Sequence, residues 1–352
     1  MNTAVEDTSQ LISDALSGTP PEEIPPGEAG AIAIIEEIIE KGVKAQAAAD
    51  PPARRDAHPK PHGCVAAEFR ILDNLPPALR QGLFAEPRSY QAWVRFSNSA
   101  AKPQSDAIGD GRGMAIKLVG VEGSPSHTQD FITISYPVFI VRNASDYVVL
   151  QENLASPLRF FVPGWNPFQW RLREALNAFG IERQKPSNVL NIQYCSMTPY
   201  LFGDTPCKFS TIPAGPASQF NGRVGDNFLR ANLVAALAEG DAAFDFCIQL
   251  RSKPDAMPIE DPTVKWQESD SPFVPVARIT IPRQSFDTPL QNAFGENLSF
   301  TPWHGLSAHR PLGGVNRVRR SVYQAISRLR HALNHEVRAE PGPGPATAPV
   351  AD

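Results

Sequence analysis

Between residues 63 and 285 the sequence is a succession of short apolar runs separated by turn residues, and this pattern limits the possible fold more than any other feature. In the runs 209–212 and 244–250, apolar and polar residues alternate with the period of a β-strand. Strands are predicted at 63–71, 90–96, 114–119, 131–135, 206–213, 244–250 and 274–281. Since these strands follow one another without regular helices between them, they predict an α+β protein built on an antiparallel sheet, most economically a closed barrel.

Helices are predicted before this β-rich region and inside it. Residues 27–48 place isoleucine and alanine side chains on one broad face and most of the Glu and Lys side chains on the other. Two helical insertions are predicted, one near 143–154, where Asn143 provides an N-cap, and one near 167–179.

Both ends of the chain have a composition that does not favour a packed core. Residues 1–26 are polar, acidic and end in a proline-rich run, so they predict a flexible N-terminal arm. Residues 337–352 are rich in Pro and Gly and predict a disordered tail. The folded domain is therefore expected to span 27–336.

The stretch 313–333 predicts a long amphipathic helix with an unusual second face. Its apolar face consists of Val315, Val318, Val322, Ile326, Leu329 and Leu333, at intervals of three and four. Arg319, Tyr323 and Arg330 gather on the other face, at offsets of four and seven. Positive charge beside a phenol favours the phenolate, which is a good ligand for ferric iron. Taken alone, the same pattern is also typical of a surface helix with solvated arginines.

Bulk properties exclude several classes of protein. The formal net charge of −4 indicates neither nucleic acid nor an anionic membrane as a partner. The four cysteines are scattered, with no metal-ligand spacing, and predict reduced thiols. The N-terminal sequence lacks the features of a secretion signal, and no apolar run is long enough to span a bilayer. A cytoplasmic protein without a membrane span is expected.

An ordered set of motifs between about residues 50 and 335 resembles the catalase superfamily. The motifs are Arg-x-x-His at Arg55 and His58, Val-Arg-Phe-Ser at 94–97, Arg-Gly-Met-Ala-Ile-Lys at 112–117, Pro-Val-Phe-Ile-x-Arg at 137–142, and Arg-x-x-x-Tyr with a further Arg at Arg319, Tyr323 and Arg330. Each motif is weak by itself, but their conserved order along the chain is fairly specific. The resemblance is closest to the short, divergent catalase-like haem proteins.

The resemblance implies an eight-stranded antiparallel barrel that encloses haem b, and it implies a role for eight residues. On one side of the haem, Tyr323 would be the axial iron ligand and Arg319 would stabilise its phenolate. On the distal side, His58 would be the acid–base group, Ser97 would hydrogen-bond to His58, and Phe139 would line the pocket. The haem propionates would pair with Arg55, Arg95 and Arg330. His62 competes with His58 for the distal role, although the Arg-x-x-His spacing favours His58.

One departure from the family pattern affects the expected activity. Catalases carry a distal Asn three residues before the proline of the Pro-x-Phe motif, and this chain has Ile134 there. Without an amide beside His58, a peroxidase acting on hydrogen peroxide or organic hydroperoxides is expected rather than an efficient catalase. A fatty-acid hydroperoxide isomerase or lyase would fit the same residues, and so would a haem-binding protein without turnover. A homo-oligomer is possible in each case.

Overall fold

The computed structural model describes residues 22–336 and 340–341. Residues 22–26 are irregular, and the rest of the predicted N-terminal arm lies outside the described residues. Apart from 340–341, so does the predicted tail. None of the helices in the described parts of the chain has the length and apolar character needed to cross a bilayer.

The described residues contain nine β-strands, and every pairing between them is antiparallel. They are β1 Pro61–Ile71, β2 Ser89–Asn98, β3 Arg112–Val119, β4 Thr128–Ile134, β5 Tyr194–Cys195, β6 Tyr200–Phe202, β7 Thr205–Pro213, β8 Ala242–Leu250 and β9 Val274–Ile281. The short strand β5 pairs with both β4 and β7 and closes a ring in the order β5-β4-β3-β2-β1-β9-β8-β7. Strand β6 pairs only with β7, beside the ring. The predicted closed eight-stranded antiparallel barrel is therefore confirmed.

Aromatic side chains fill the interior of the barrel. Phe69, Phe131 and Phe246 are buried, with ring centroids 4.6–5.9 Å apart, and Val94 and Phe96 of β2 belong to the same cluster. Because these side chains pack the interior, no space for a porphyrin remains inside. We therefore expect a large ligand to bind against the outer face of the barrel.

Seven α-helices surround the barrel in the described residues. They are α1 Glu28–Ala49, α2 Ala144–Glu152, α3 Leu158–Phe161, α4 Leu172–Glu182, α5 Phe228–Glu239, α6 Pro289–Asn297 and α7 Gly314–Asn334. Short 3-10 turns lie at Pro77–Leu79, Gly82–Phe84, Pro167–Gln169, Val189–Asn191 and Ser307–His309. The helices α3, α5 and α6 were not predicted from the sequence.

The helix predicted at 27–48 is confirmed as α1, and the one predicted at 143–154 corresponds to α2. The side chain of Asn143 accepts a hydrogen bond from the Asp146 N–H at 3.0 Å, as an N-cap does. The helix predicted at 167–179 is wrong in its bounds. The extended backbone of Trp170 ends a short turn, and α4 begins only at Leu172.

Helices α1 and α7 pack against each other on one side of the barrel. Ile35 and Ile39 of α1 are buried in one cluster with Val318 and Val322 of α7. Asn334, the last residue of α7, exchanges two hydrogen bonds with the backbone of Ala53. This packing fixes α7 over the segment that leads into β1.

An ion cluster fixes the N-terminal end of α7. The guanidinium of Arg317 lies 2.5 Å from a carboxylate oxygen of Glu28, 2.8 Å from Glu22 and 2.9 Å from Glu260. Glu28 is buried. The cluster therefore joins α7 to α1, to the segment before α1 and to the loop that precedes β9.

We expect the substitution Arg317→Ala to lower the free energy of unfolding by about 3 kcal/mol, because it leaves neighbouring carboxylates without their shared cation in a partly buried site. The substitution Arg328→Ala, at an exposed position of the same helix, should change it by no more than about 0.5 kcal/mol. Urea unfolding followed by circular dichroism measures both values. Equal effects of the two substitutions would contradict the proposed role of the cluster.

Candidate functional site

A partly open cavity lies between the outer face of the barrel and helix α7, with about 790 Å³ of space when the adjoining open solvent is included. The lining residues come from the segment before β1, from β2, β3, β4 and α7, and from the loop before α7: Arg55, Asp56, Ala57, His58, Arg95, Ser97, Gly113, Met114, Ala115, Ile132, Thr133, Ser299, Phe300, Val322, Tyr323, Ile326, Ser327 and Arg330. Six of the eight predicted site residues are therefore brought together, and a seventh, Arg319, contacts Tyr323 directly.

Helix α7 contributes the half-buried Tyr323 and its buried neighbour Arg319. The guanidinium of Arg319 donates from Nε at 3.4 Å and from a terminal nitrogen at 3.3 Å to the phenol oxygen of Tyr323. A terminal nitrogen of Arg319 also donates to Asn316 Oδ1 at 3.2 Å. Although burial opposes the charged form of Arg319, Tyr323 and Tyr200 raise its pKa, so a permanent positive charge lies beside the phenol oxygen.

His58 lies on the barrel side of the same cavity in a left-handed backbone conformation, with φ of 61°. Its Nδ1 is 3.0 Å from Ser97 Oγ, and its carbonyl oxygen accepts a hydrogen bond from Arg95 at 2.9 Å. The imidazole packs closely on Gly113 of β3, where an added Cβ would lie 2.6 Å from Nδ1 and Cε1 of His58 and 2.9 Å from Ser97 Oγ. The position of the ring therefore depends on a glycine at residue 113.

The environment of His58 keeps its imidazole neutral. Burial, together with the positive charges of Arg95 and Arg319, lowers the pKa of His58 to about 3. His62, the competing candidate, is fully buried away from the cavity lining, and its Nε2 is 2.7 Å from Asn98 Oδ1. Of the two histidines, His58 alone lines the cavity.

Three arginines and one carboxylate form the charged end of the cavity. Glu296, the last but one residue of α6, lies 2.6 Å from Arg330, 3.4 Å from Arg55 and 3.7 Å from Arg95. Arg55 also donates to the carbonyl oxygens of Glu296 at 2.8 Å and Leu298 at 2.7 Å. Burial and the charge of Arg55 lower the pKa of both Arg95 and Arg330 to about 10.

These charges fit a ligand that carries two carboxylates. Three guanidinium groups against the single carboxylate of Glu296 leave two positive charges uncompensated, and a haem carries two propionates. The Nε atoms of Arg55 and Arg95 are buried without a hydrogen-bond partner in the described residues, and buried donors of this kind are normally paired. The apolar walls of Val322, Ile326 and Phe300 suit a flat macrocycle.

Asp56 is a further ionisable group at the cavity, two residues before His58. No cation in the described residues pairs with its carboxylate, and burial raises its pKa to about 6. A carboxyl group of this kind is largely ionised above pH 6 and largely neutral below it. The site thus holds a neutral imidazole and a weakly acidic carboxyl side by side.

Phe139 and Ile134, like Arg319 and His62, do not line the cavity. Phe139 packs on Tyr147 of α2, with ring centroids 5.9 Å apart. Ile134, at the position of the family's distal Asn, is buried at the end of β4 opposite Gly113. Among the described residues that line the cavity there is no Asn or Gln.

Glu296, Asp56 and Gly113 belong to the site but were not singled out in the sequence analysis. The Arg-Gly-Met motif contains Gly113, so its role in fitting a neighbouring side chain was accessible from the sequence in principle. Nothing in the local sequence around Glu296 indicates its arginine partners, because Arg55 and Arg95 are more than 200 positions away in the chain.

Comparisons with known proteins agree with this geometry. No family model matches the chain. It is 26% identical over 266 residues to a catalase-related peroxidase of Mycolicibacterium paratuberculosis, an alignment that covers 71% of this chain and 81% of that protein.

Solved catalases have the same fold. A fungal catalase superposes with a TM-score of 0.60 at 18% identity, covering 82% of this chain and 61% of that one. Catalase A from Saccharomyces cerevisiae gives 0.60 at 17% identity, covering 83% and 65%, and a bacterial catalase gives 0.59 at 15% identity, covering 93% and 66%. The chain thus spans between three fifths and two thirds of the length of these catalases, and the resemblance inferred from the sequence motifs is confirmed.

We expect the substitution Asp56→Asn to stabilise the protein above pH 6. The pKa of Asp56 is raised from 3.8 to about 6 in the folded state, so the folded state binds more protons than the unfolded state between these values and loses stability as pH rises through them. The gain in free energy of unfolding should be on the order of 3 kcal/mol at pH 8 and become small near pH 3.5.

Urea unfolding of both proteins across this pH range measures the difference, with the exposed Asp204→Asn as a matched control. A gain that does not depend on pH would contradict the assignment.

Proposed function

We propose that this chain, a catalase-like superfamily protein, is a haem-dependent oxidoreductase that acts as a peroxidase on hydrogen peroxide or organic hydroperoxides. The observation that carries the proposal is a neutral histidine, His58, in the same cavity as an arginine-paired Tyr323 and three further arginines. A catalase-related peroxidase is the relative at 26% identity. Bound in the cavity, haem b would supply redox-active iron.

Five residues would hold the cofactor. Tyr323 would bind the iron through its phenol oxygen, to which the guanidinium of Arg319 donates hydrogen bonds. Arg55, Arg95 and Arg330 would bind the propionates through their guanidinium groups. Phe139, which packs on Tyr147 behind the cavity, would act only through its neighbours.

His58 would perform the proton transfer. Its neutral imidazole would accept the proton from the near oxygen of the peroxide and return it to the far oxygen, which would leave as water or an alcohol, while the bound haem would supply the two electrons for the cleavage and take up the remaining oxygen. The hydrogen bond between Nδ1 and Ser97 Oγ would orient the ring for this transfer. Because the pKa of His58 is lowered, its imidazole is neutral at pH 6, where a histidine with its usual pKa would be partly protonated and could not accept a proton in that form.

The cavity favours a peroxidase over a catalase. Since no Asn or Gln lies among the described lining residues, there is no amide to orient a second peroxide molecule for dioxygen release. The wall beside His58 is formed by Met114, Ala115 and Ile132, and such apolar side chains favour an alkyl group on the substrate. A panel of hydrogen peroxide, alkyl hydroperoxides and fatty-acid hydroperoxides would identify the preferred class and would detect isomerase or lyase products.

We expect the protein purified with hemin to show the Soret and charge-transfer bands of high-spin ferric tyrosinate. The substitution His58→Ala should keep these bands and lower the rate of reaction with peroxide by roughly 10²–10⁴-fold, because the proton acceptor is removed. The substitution Tyr323→Phe should remove the charge-transfer bands. Absorption spectra and stopped-flow mixing with peroxide measure both effects. An unchanged rate in His58→Ala would contradict the role of His58, and a wild-type protein that binds haem but does not react with peroxide would be a haem-binding protein without turnover.

A second prediction concerns the glycine under the imidazole. The substitution Gly113→Ala places a methyl group 2.6 Å from the His58 ring, so the ring must move and its hydrogen bond to Ser97 should break. We expect a fall of roughly tenfold or more in the peroxide rate with little change in the ferric spectrum. Gly42→Ala, where an added Cβ meets nothing within 4 Å, is the matched control and should keep the full rate.

A further inference from the structure

Helix α4 turns its apolar side towards solvent. Leu172, Leu176 and Phe179, at offsets of four and seven, are 59%, 69% and 57% exposed. The opposite side of α4 is polar and faces the protein, with Glu174 buried against Arg142. Asn177 of the same side donates to the carbonyl oxygens of Phe139 and Thr263. In a surface helix of a globular protein this arrangement is normally reversed.

The segment before α4 extends this apolar surface. Trp165 is fully exposed, and Phe168 is 97% exposed. The side chain of Arg171 donates to the carbonyl oxygen of Phe160 in α3, which ties α4 to this segment. We name the eight exposed residues the aromatic face: Leu154, Leu158, Trp165, Phe168, Trp170, Leu172, Leu176 and Phe179. A concentration of exposed apolar side chains of this size is rare on a monomeric soluble protein and marks an interaction surface.

The charge around the aromatic face distinguishes between possible partners. Residues 154–185 contain five basic and two acidic residues. Arg171 and Arg173 pair with Asp146 and Asp261 outside this segment, at 3.1 Å and 3.2 Å, so the positive charge of the segment comes from Arg159, Arg183 and Lys185. Arg159 is exposed beside Leu158, and the guanidinium of Arg183 lies 5.3 Å from the ring centroid of Phe179. A two-fold contact between two copies would bring these positive charges together, which opposes self-association.

We propose that the aromatic face docks the protein peripherally on an anionic lipid bilayer. Trp and Phe side chains bury readily at the boundary between headgroups and acyl chains, and neighbouring arginines then meet the anionic headgroups. The total charge of the chain hides this feature, because the basic residues are concentrated in one segment. The proposal concerns a surface on the outer helices and does not depend on the peroxidase activity.

Co-sedimentation of the hemin-loaded protein with vesicles tests the proposal. The vesicles contain phosphatidylcholine and phosphatidylglycerol in a two-to-one ratio, and vesicles of phosphatidylcholine alone serve for comparison. We expect binding to the mixed vesicles that weakens as salt is raised. The double substitution Trp165→Ser and Phe168→Ser should reduce the partition coefficient roughly tenfold or more. Both side chains are almost fully exposed, so the unfolding midpoint should be unchanged.

Two further variants complete the test. Leu176→Ser, on α4 itself, should also weaken vesicle binding, and it replaces the double variant if that protein does not fold. Val224→Ser removes an apolar side chain that is 90% exposed outside the aromatic face and should bind vesicles like the wild type. Absence of binding to the mixed vesicles, or equal binding by all variants, overturns the proposal. So does a dimer, seen by analytical ultracentrifugation, that the double substitution dissociates.

Discussion

The site exists because the interior of the barrel is full. Phenylalanine rings pack the space inside the closed ring of strands, so a large ligand can bind only against the outer face of β2, β3 and β4. A second wall is then required, and helix α7 supplies it. The packing of α1 on α7 and the ion cluster of Arg317 hold that wall in place. The position of every cavity residue on α7, Tyr323 included, depends on these contacts.

The cavity concentrates charge in ways that cost stability. Arg55, Arg95 and Arg330 repel one another around Glu296, and Asp56 is held without a cation. His58 is kept in a left-handed backbone conformation beside Gly113. Groups that are unfavourable in the folded protein alone are typical of sites that bind a charged ligand, because the ligand compensates them. A dicarboxylate macrocycle would relieve the arginine repulsion, which is the physical link between this geometry and the proposed haem.

The orientation of helix α4 is the reverse of the one that its amphipathic sequence predicts for a surface helix. Helix α4 is amphipathic, but its polar side faces the protein through Glu174 and Asn177, and its apolar side is exposed. The arrangement satisfies buried hydrogen bonds at the cost of exposed apolar area. The cavity and the aromatic face share no residue, so they can be tested with separate substitutions.

The sequence by itself determined which segments form strands, because alternation with period two is a local property. The strands predicted at 63–71, 90–96 and 244–250 correspond to β1, β2 and β8. It also determined the composition of much of the site, since Arg55, His58, Ser97 and Tyr323 could be found from the order of the motifs and all line the cavity.

Only the tertiary structure decided where the cavity lies, and which side of each helix faces the protein and which faces solvent. The two-residue strand β5, which closes the barrel through β4 and β7, is too short to leave a periodic signal. The meeting of Glu296 with Arg55 and Arg95, and the outward apolar side of α4, depend on contacts between residues far apart in the chain. Local sequence patterns do not predict such contacts, because the free energy that favours them arises from packing and charge in the assembled fold.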